Sequence, residues 1–213
     1  MASPTRIILG LGNPGEEYAD TRHNVGFRVA DAVAERSRTS MDRHAGSSVV
    51  GDGRWKGRPF VVAKPLTWMN RSGEAARALL RRFSVSPNEL LVVVDDINLP
   101  LGTVRLRRGG GTGGHNGLED IADTLNTHDF PRLRVGIGSD FARGNQSDYV
   151  LSPFEAGEFE LVDDTVSHAA EAALCFVTDG VQTAMNRYNR AAPGSSGEQS
   201  DSDGEDGAQR INR

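Results

Sequence analysis

Apolar residues fall along this chain in short blocks of two kinds, and the two kinds alternate. Arg6 to Leu11 is a β-branched and leucine run bounded by Gly10 and Gly12, the pattern of a buried strand. Val25, Val29, Ala30, Val33 and Ala34 then recur at helical spacing, with Asp31, Glu35 and Arg36 on the opposite face. Ser48 to Val50 and Arg58 to Ala63 read as two strands around the turn G-D-G-R-W-K-G, a hairpin that makes the sheet mixed. Pro65 ends that pair, L-T-W-M-N-R-S-G follows as a loop, and Ala75 to Phe83 forms a helix with a basic face of Arg77, Arg81 and Arg82. Leu90 to Val94 is the most apolar strand and stops at Asp95-Asp96, and Val104 to Arg108 alternates so that Arg105 and Arg107 share a face. A glycine-rich loop leads to a helix from Leu118 to Leu125 and a strand from Leu133 to Gly138. Ser139 to Pro153 is polar and irregular, and helices over 155–177 and 181–188 close the pattern. Strands alternating with helices predict one α/β domain over residues 1–190, a twisted mixed β-sheet flanked by helices.

Composition changes this picture at the C-terminus. From Ala191 the chain reads A-A-P-G-S-S-G-E-Q-S-D-S-D-G-E-D-G, with too little apolar surface to offset the entropy of ordering it, so 191–213 is expected to be a disordered acidic tail. Its five acids (Glu198, Asp201, Asp203, Glu205, Asp206) against Arg210 and Arg213 supply three of the five net negative charges. The remainder is nearly neutral but segregated: 54–82 holds eight basic residues and one acid, whereas 155–179 holds seven acids and no Lys or Arg. An acidic balance therefore does not exclude a polyanionic partner, which reads the local patch. Cys175, the only cysteine, sits among apolar neighbours and reads as a packing thiol, so no disulfide forms within the chain. The first residues lack the pattern of a secretory signal, and no apolar run approaches spanning length; a soluble, cytoplasmic chain without membrane contact is the expectation.

Two glycine motifs imitate nucleotide sites. Gly10-x-Gly12-x-x-Gly15 matches the dinucleotide fingerprint, but Pro14 stiffens the turn and Glu16-Glu17 put two carboxylates where the pyrophosphate should sit. The helix that should receive it begins only near Asn24. Gly109-x-x-x-x-Gly114 is followed by His115 where a Walker loop needs its lysine. Such a loop entering a helix can still bring backbone N–H groups to a nucleic-acid phosphate.

Other polar groups fall at element ends. Asn13 follows the first strand, Asn70 the strand ending near Lys64, Asp95 ends the central strand, and His115-Asn116 separates a strand from a helix. Parallel strands carry such loops to one edge of an open sheet. With His23, that edge would hold an imidazole base, a carboxylate and several amide donors, the set that activates water against a carbonyl. Taken singly, these residues have plainer readings: His23 and His115 as structural loop histidines, Asp95 as a turn cap with Asp96 as its rival, Asn13 and Asn116 as turn and cap residues. His44, His128 and His168 lack metal-ligand spacing.

Four segments, G-L-G-N-P-G-E-E-Y-A-D-T-R-H-N-V-G-F, K-P-L-T-W-M-N-R-S-G, D-D-I-N-L-P-L-G and G-G-G-T-G-G-H-N-G-L, closely resemble the signature blocks of bacterial-type peptidyl-tRNA hydrolases, in family order, from about Arg6 to about Asn189. The resemblance implies an esterase that cleaves the bond between a peptide's terminal carboxyl and the 3′ ribose of tRNA. It assigns His23 as general base and Asp95 as its supporting carboxylate. Asn13, Asn70 and Asn116 would contact the peptide, the ester region and the terminal nucleotide, and Tyr18 and Trp68 would line the site for the tRNA end. No metal or organic cofactor is implied. Trp68 stands where relatives carry a smaller ring, and Val94 where they often carry His or Tyr, which puts the pocket's dimensions in question rather than its chemistry. His115 is expected to orient water or substrate, and remains the alternative base. Arg105, Arg107, Arg108 and Arg134, with Arg132 and Arg143, form either a solvated face or a stripe for tRNA phosphates. A monomer whose partner is peptidyl-tRNA, held by the tRNA 3′ end, is the leading expectation; a non-catalytic RNA-binding protein on the same scaffold is the alternative.

Overall fold

The computed structural model describes residues 5–189, so the expected tail at 191–213 lies outside the described residues. Seven strands form one sheet, β1 (Arg6–Gly10), β2 (Arg43–His44), β3 (Ser48–Trp55), β4 (Arg58–Pro65), β5 (Leu90–Asp96), β6 (Val104–Arg107) and β7 (Arg132–Gly136), in the order β2-β3-β4-β1-β5-β7-β6. The four central strands are parallel; β2-β3, β3-β4 and β6-β7 pair antiparallel. This is the expected single α/β domain with a mixed sheet.

Alternation along the strands explains the layers. Ile8, Val62, Val93, Leu133 and Val135 point to one face, where α1 (Val25–Ser37) and α5 (Phe159–Tyr188) cover them. Ile7, Leu9, Val61, Val92 and Val94 point to the other, under α2 (Ser72–Phe83) and α3 (Asn116–Leu125). Where β1 meets α1 the backbones nearly touch: a Cβ on Gly10 would fall on the carbonyl oxygen of Gly26, and one on Gly26 would meet Leu11 and Val93. The fingerprint-like glycine therefore serves close strand–helix packing.

Several boundaries move for physical reasons. The hairpin strand runs through Gly51–Trp55, and only Lys56 and Gly57, both with positive φ, make the turn. Segment 139–153 contains a short helix, α4 (Gln146–Val150). The C-terminal run breaks at Gly180 (φ 83, ψ 171), as the two-helix expectation requires, and the Arg6 guanidinium donates to the carbonyls of Phe176 and Val177 just before the break. Past the break, α5 returns to the sheet. There the Asn189 carboxamide pairs with edge strand β6: Leu106 N donates to Oδ1 at 2.7 Å and Nδ2 donates to Leu106 O at 3.0 Å. No described helix is long and apolar enough to cross a membrane.

Candidate active site

The C-terminal ends of β1, β4 and β5 open into a cavity of about 620 Å³. Asn13, His23, Trp68, Met69, Asn70, Asp95, His115 and Asn116 all line it, so the structure brings together eight of the residues singled out from sequence or adjoining them. Asp95 is its floor. The carboxylate Oδ1 accepts from His23 Nδ1 at 2.7 Å and from His115 Nε2 at 2.9 Å, and all three side chains are nearly closed off from solvent. Burial alone would push the Asp95 carboxyl up, but the two imidazoles, by charge and hydrogen bond, more than offset this and hold it well below the usual carboxylate range.

The hydrogen bonds distinguish the two histidines. His115 is the N-cap of α3, and its Nδ1 accepts from Gly117 N at 3.1 Å and Leu118 N at 3.3 Å. An acceptor Nδ1 requires the proton on Nε2, which donates to Asp95, so both ring nitrogens are committed. His23 donates Nδ1–H to the same oxygen, and its Nε2 has no hydrogen bond to any described residue. The cavity therefore receives one basic lone pair, from His23. Asp96, the rival carboxylate, also lines the cavity but bonds to neither histidine: it pairs with Arg134 and accepts from Asn98 N at 2.8 Å.

Asn13 is fixed just as closely. Its Oδ1 accepts from Met69 N at 2.8 Å, which orients the amide and leaves Nδ2 as a donor at the cavity. Its backbone is held at both ends by Asn24, which is 1% exposed: Asn13 N donates to Asn24 Oδ1 at 2.8 Å and Asn24 Nδ2 donates to Asn13 O at 2.9 Å. Asn70 and Asn116 are exposed at the rim, and Tyr18 meets Trp68 edge to face at 5.5 Å between ring centres. Gln146, Ser147, Val150 and Leu151 of the α4 segment form another wall.

Sequence reasoning missed two residues that hold this arrangement. Asn24 was one; its only signal was an amide residue next to His23. The other, Arg22, is 4% exposed and grips Glu158 through both guanidinium ends, at 3.1 and 2.7 Å, between the rings of Tyr149 and Phe154. Burial would raise the Glu158 carboxyl, but the bonds from Arg22 bring it below its ordinary value. Glu158 lies far along the chain, so spacing could not reveal the pair.

The arginine stripe needs one correction. Arg132 is no surface residue: it is 1% exposed, lies over the Phe130 ring and donates to the carbonyls of Gly110 and Gly111, each at 2.9 Å, bracing the glycine loop. Arg105 and Arg134 are half-buried and tied to Asn189 O and Asp96, whereas Arg107 and Arg108 are exposed with no hydrogen bond or ion pair to a described residue. His23, Asp95 and His115 also lie close enough to surround a metal ion, with ligand atoms within 4.8 Å of one another, but two N–H···O bonds already account for those atoms.

An α/β fold whose cavity receives an imidazole nitrogen with no hydrogen bond to a described residue, beside amide donors, is the class that fold and cavity define. The family model described as Peptidyl-tRNA hydrolase matches residues 7–196. The peptidyl-tRNA hydrolase of Salinibacter ruber is 47% identical over 189 residues, covering 89% of this chain and all of that one; that of Dehalococcoides mccartyi is 44% identical over 187 residues, covering 86% and 99%. A crystal structure of the Acinetobacter baumannii enzyme superimposes with a TM-score of 0.82 at 35% identity, covering 89% of this chain and 96% of that one. The chain belongs to the peptidyl-tRNA hydrolase family and is an enzyme of that class. Nothing in these likenesses favours a non-catalytic RNA-binding protein.

Proposed function

We propose that the chain hydrolyses the ester between an N-blocked peptide and the 3′ ribose of tRNA, with His23 as general base. The observation that carries this reading is the free Nε2 of an imidazole whose other nitrogen donates to a buried carboxylate. Nε2 takes a proton from water as the water oxygen attacks the ester carbonyl carbon. The oxygen that gains charge accepts from Asn13 Nδ2, a donor worth roughly 3–4 kcal/mol when fixed in place. As the tetrahedral intermediate collapses, the bond to the ribose 3′ oxygen breaks and the imidazolium returns its proton there, leaving a free tRNA hydroxyl and a peptide carboxylic acid that loses the second water proton to solvent. Asp95 selects the tautomer and stabilises the imidazolium, and His115 holds Asp95 from its other side.

Asn70, Asn116 and the Tyr18–Trp68 pair supply donors and a stacking face for the peptide and the terminal nucleotide. Arg134 beside Asp96, Arg105 opposite it on β6, and the exposed Arg107 and Arg108 further along that edge contact tRNA phosphates, and no metal or organic cofactor takes part. The enzyme acts as a cytoplasmic monomer.

Steady-state hydrolysis of N-acetyl-aminoacyl-tRNA tests the reading. The free-amine form should be largely spared, a chelator should leave the rate unchanged, and His23→Ala should fold normally without turnover. Full activity of His23→Ala would remove the assigned base.

A further inference from the structure

The last described residue, Asn189, is bonded to the middle of β6 through its side chain, and its carbonyl accepts from Arg105. The chain therefore leaves the domain beside the arginines of β6. Arg107 follows Leu106 directly, and it and Arg108 are exposed with no partner among the described residues. The stripe already takes one carboxylate, since Arg134 pairs with Asp96. Beyond Arg190, which follows Asn189 directly, the sequence is complementary: residues 191–206 carry Glu198, Asp201, Asp203, Glu205 and Asp206 and no basic residue.

We propose that the acidic segment 198–206 docks on the arginines of β6 and competes there with the phosphates of tRNA. The inference rests on the reading of those arginines as phosphate contacts. Reach is sufficient: nine residues lead from Asn189 to Glu198, a length of chain whose covalent limit is about 30 Å, against about 13 Å for the four residues of β6. Tethering at such range gives an effective concentration on the order of millimolar, so weak carboxylate–guanidinium contacts suffice for partial occupancy. Because the contacts are exposed, salt screens them. The segment thus discourages weakly held RNA while a ligand that also fills the catalytic cavity displaces it.

The test neutralises the segment within the full chain, by Glu198→Gln, Asp201→Asn, Asp203→Asn, Glu205→Gln and Asp206→Asn together. The KM for N-acetyl-aminoacyl-tRNA should fall about two- to five-fold at low ionic strength with kcat unchanged, and the difference should close as salt is raised. In the RNA-free protein the side-chain Nε–Hε resonances of Arg107 and Arg108 should differ between parent and neutralised chain. Identical arginine resonances, with an ordinary salt dependence of tRNA binding, would overturn docking while leaving the phosphate-contact reading intact. Shifted resonances with an unchanged KM would overturn the competition, together with the reading of these arginines as tRNA contacts.

Discussion

At the scale of single residues, Asp95 serves two imidazoles with one oxygen, and each imidazole depends on it differently. Asp95→Asn replaces an obligate acceptor with a group that can donate, so the His23 tautomer flips and kcat should drop about a thousand-fold or more while KM changes little. The same carboxylate sets a pH dependence of stability. Its folded-state value lies below the unfolded one of roughly 4, so its contribution is fully present above that pH and disappears as pH falls through the depressed value. The stability difference between parent and Asp95→Asn, read from urea midpoints, should be present at pH 5 and shrink as the pH falls through the depressed carboxyl value. His115 combines two tasks that substitution can separate. His115→Ala should cost about 1 kcal/mol through loss of the α3 cap and should also lower kcat. His115→Asn, which can still cap the helix, should recover the stability without the rate. The residues themselves were legible, because histidine, aspartate and asparagine at element ends have few other uses in combination. The division of labour between His23 and His115 was not, because it depends on which nitrogen each ring has left.

At the scale of elements, the loop that carries His23 is fastened by groups that composition does not advertise. Arg22 ties the turn before α1 to the start of α5, with Glu158 about a quarter exposed. Water can reach the carboxylate if its partner is lost, so Arg22→Met should cost about 2 kcal/mol, lowering Tm by about 4–8 °C, rather than the larger penalty of a sealed pair. Because His23 is the next residue, kcat should fall as well, and Arg22→Lys should not restore it, since a lysine cannot grip both carboxylate oxygens and stack between two rings. The strands and main helices followed from periodicity. The length of the hairpin is not legible locally, because Gly51, Asp52 and Gly53 look like a turn and only pairing with Val62, Val61 and Phe60 makes them a strand. The burial of Arg132 is equally hidden, because nothing local shows that the carbonyls of a glycine loop will enclose its guanidinium.

At the scale of the whole molecule, the two halves of the charge distribution occupy different places, and the arginines of β6 lie on the side of the sheet that α2 and α3 leave open at its edge. Arg107 is the cleanest probe, because Arg105 and Arg134 already hold Asn189 and Asp96. Arg107→Glu should raise KM more than it lowers kcat and reduce the slope of log affinity against log salt by about one. A like change at Arg134 would leave Asp96 unpaired one residue from Asp95, so kcat should fall there too. Sequence showed the opposing charge blocks but not that β6 would form the outermost strand.

That position carries a consequence for how copies of the protein behave toward one another. A rim strand offers amide and carbonyl groups to any extended peptide that comes alongside, and one side-chain amide, that of Asn189, occupies the pair at Leu106. Asn189→Ala would uncover that rung, and light scattering should then report self-association that grows with protein concentration while dilute samples keep their catalytic constants.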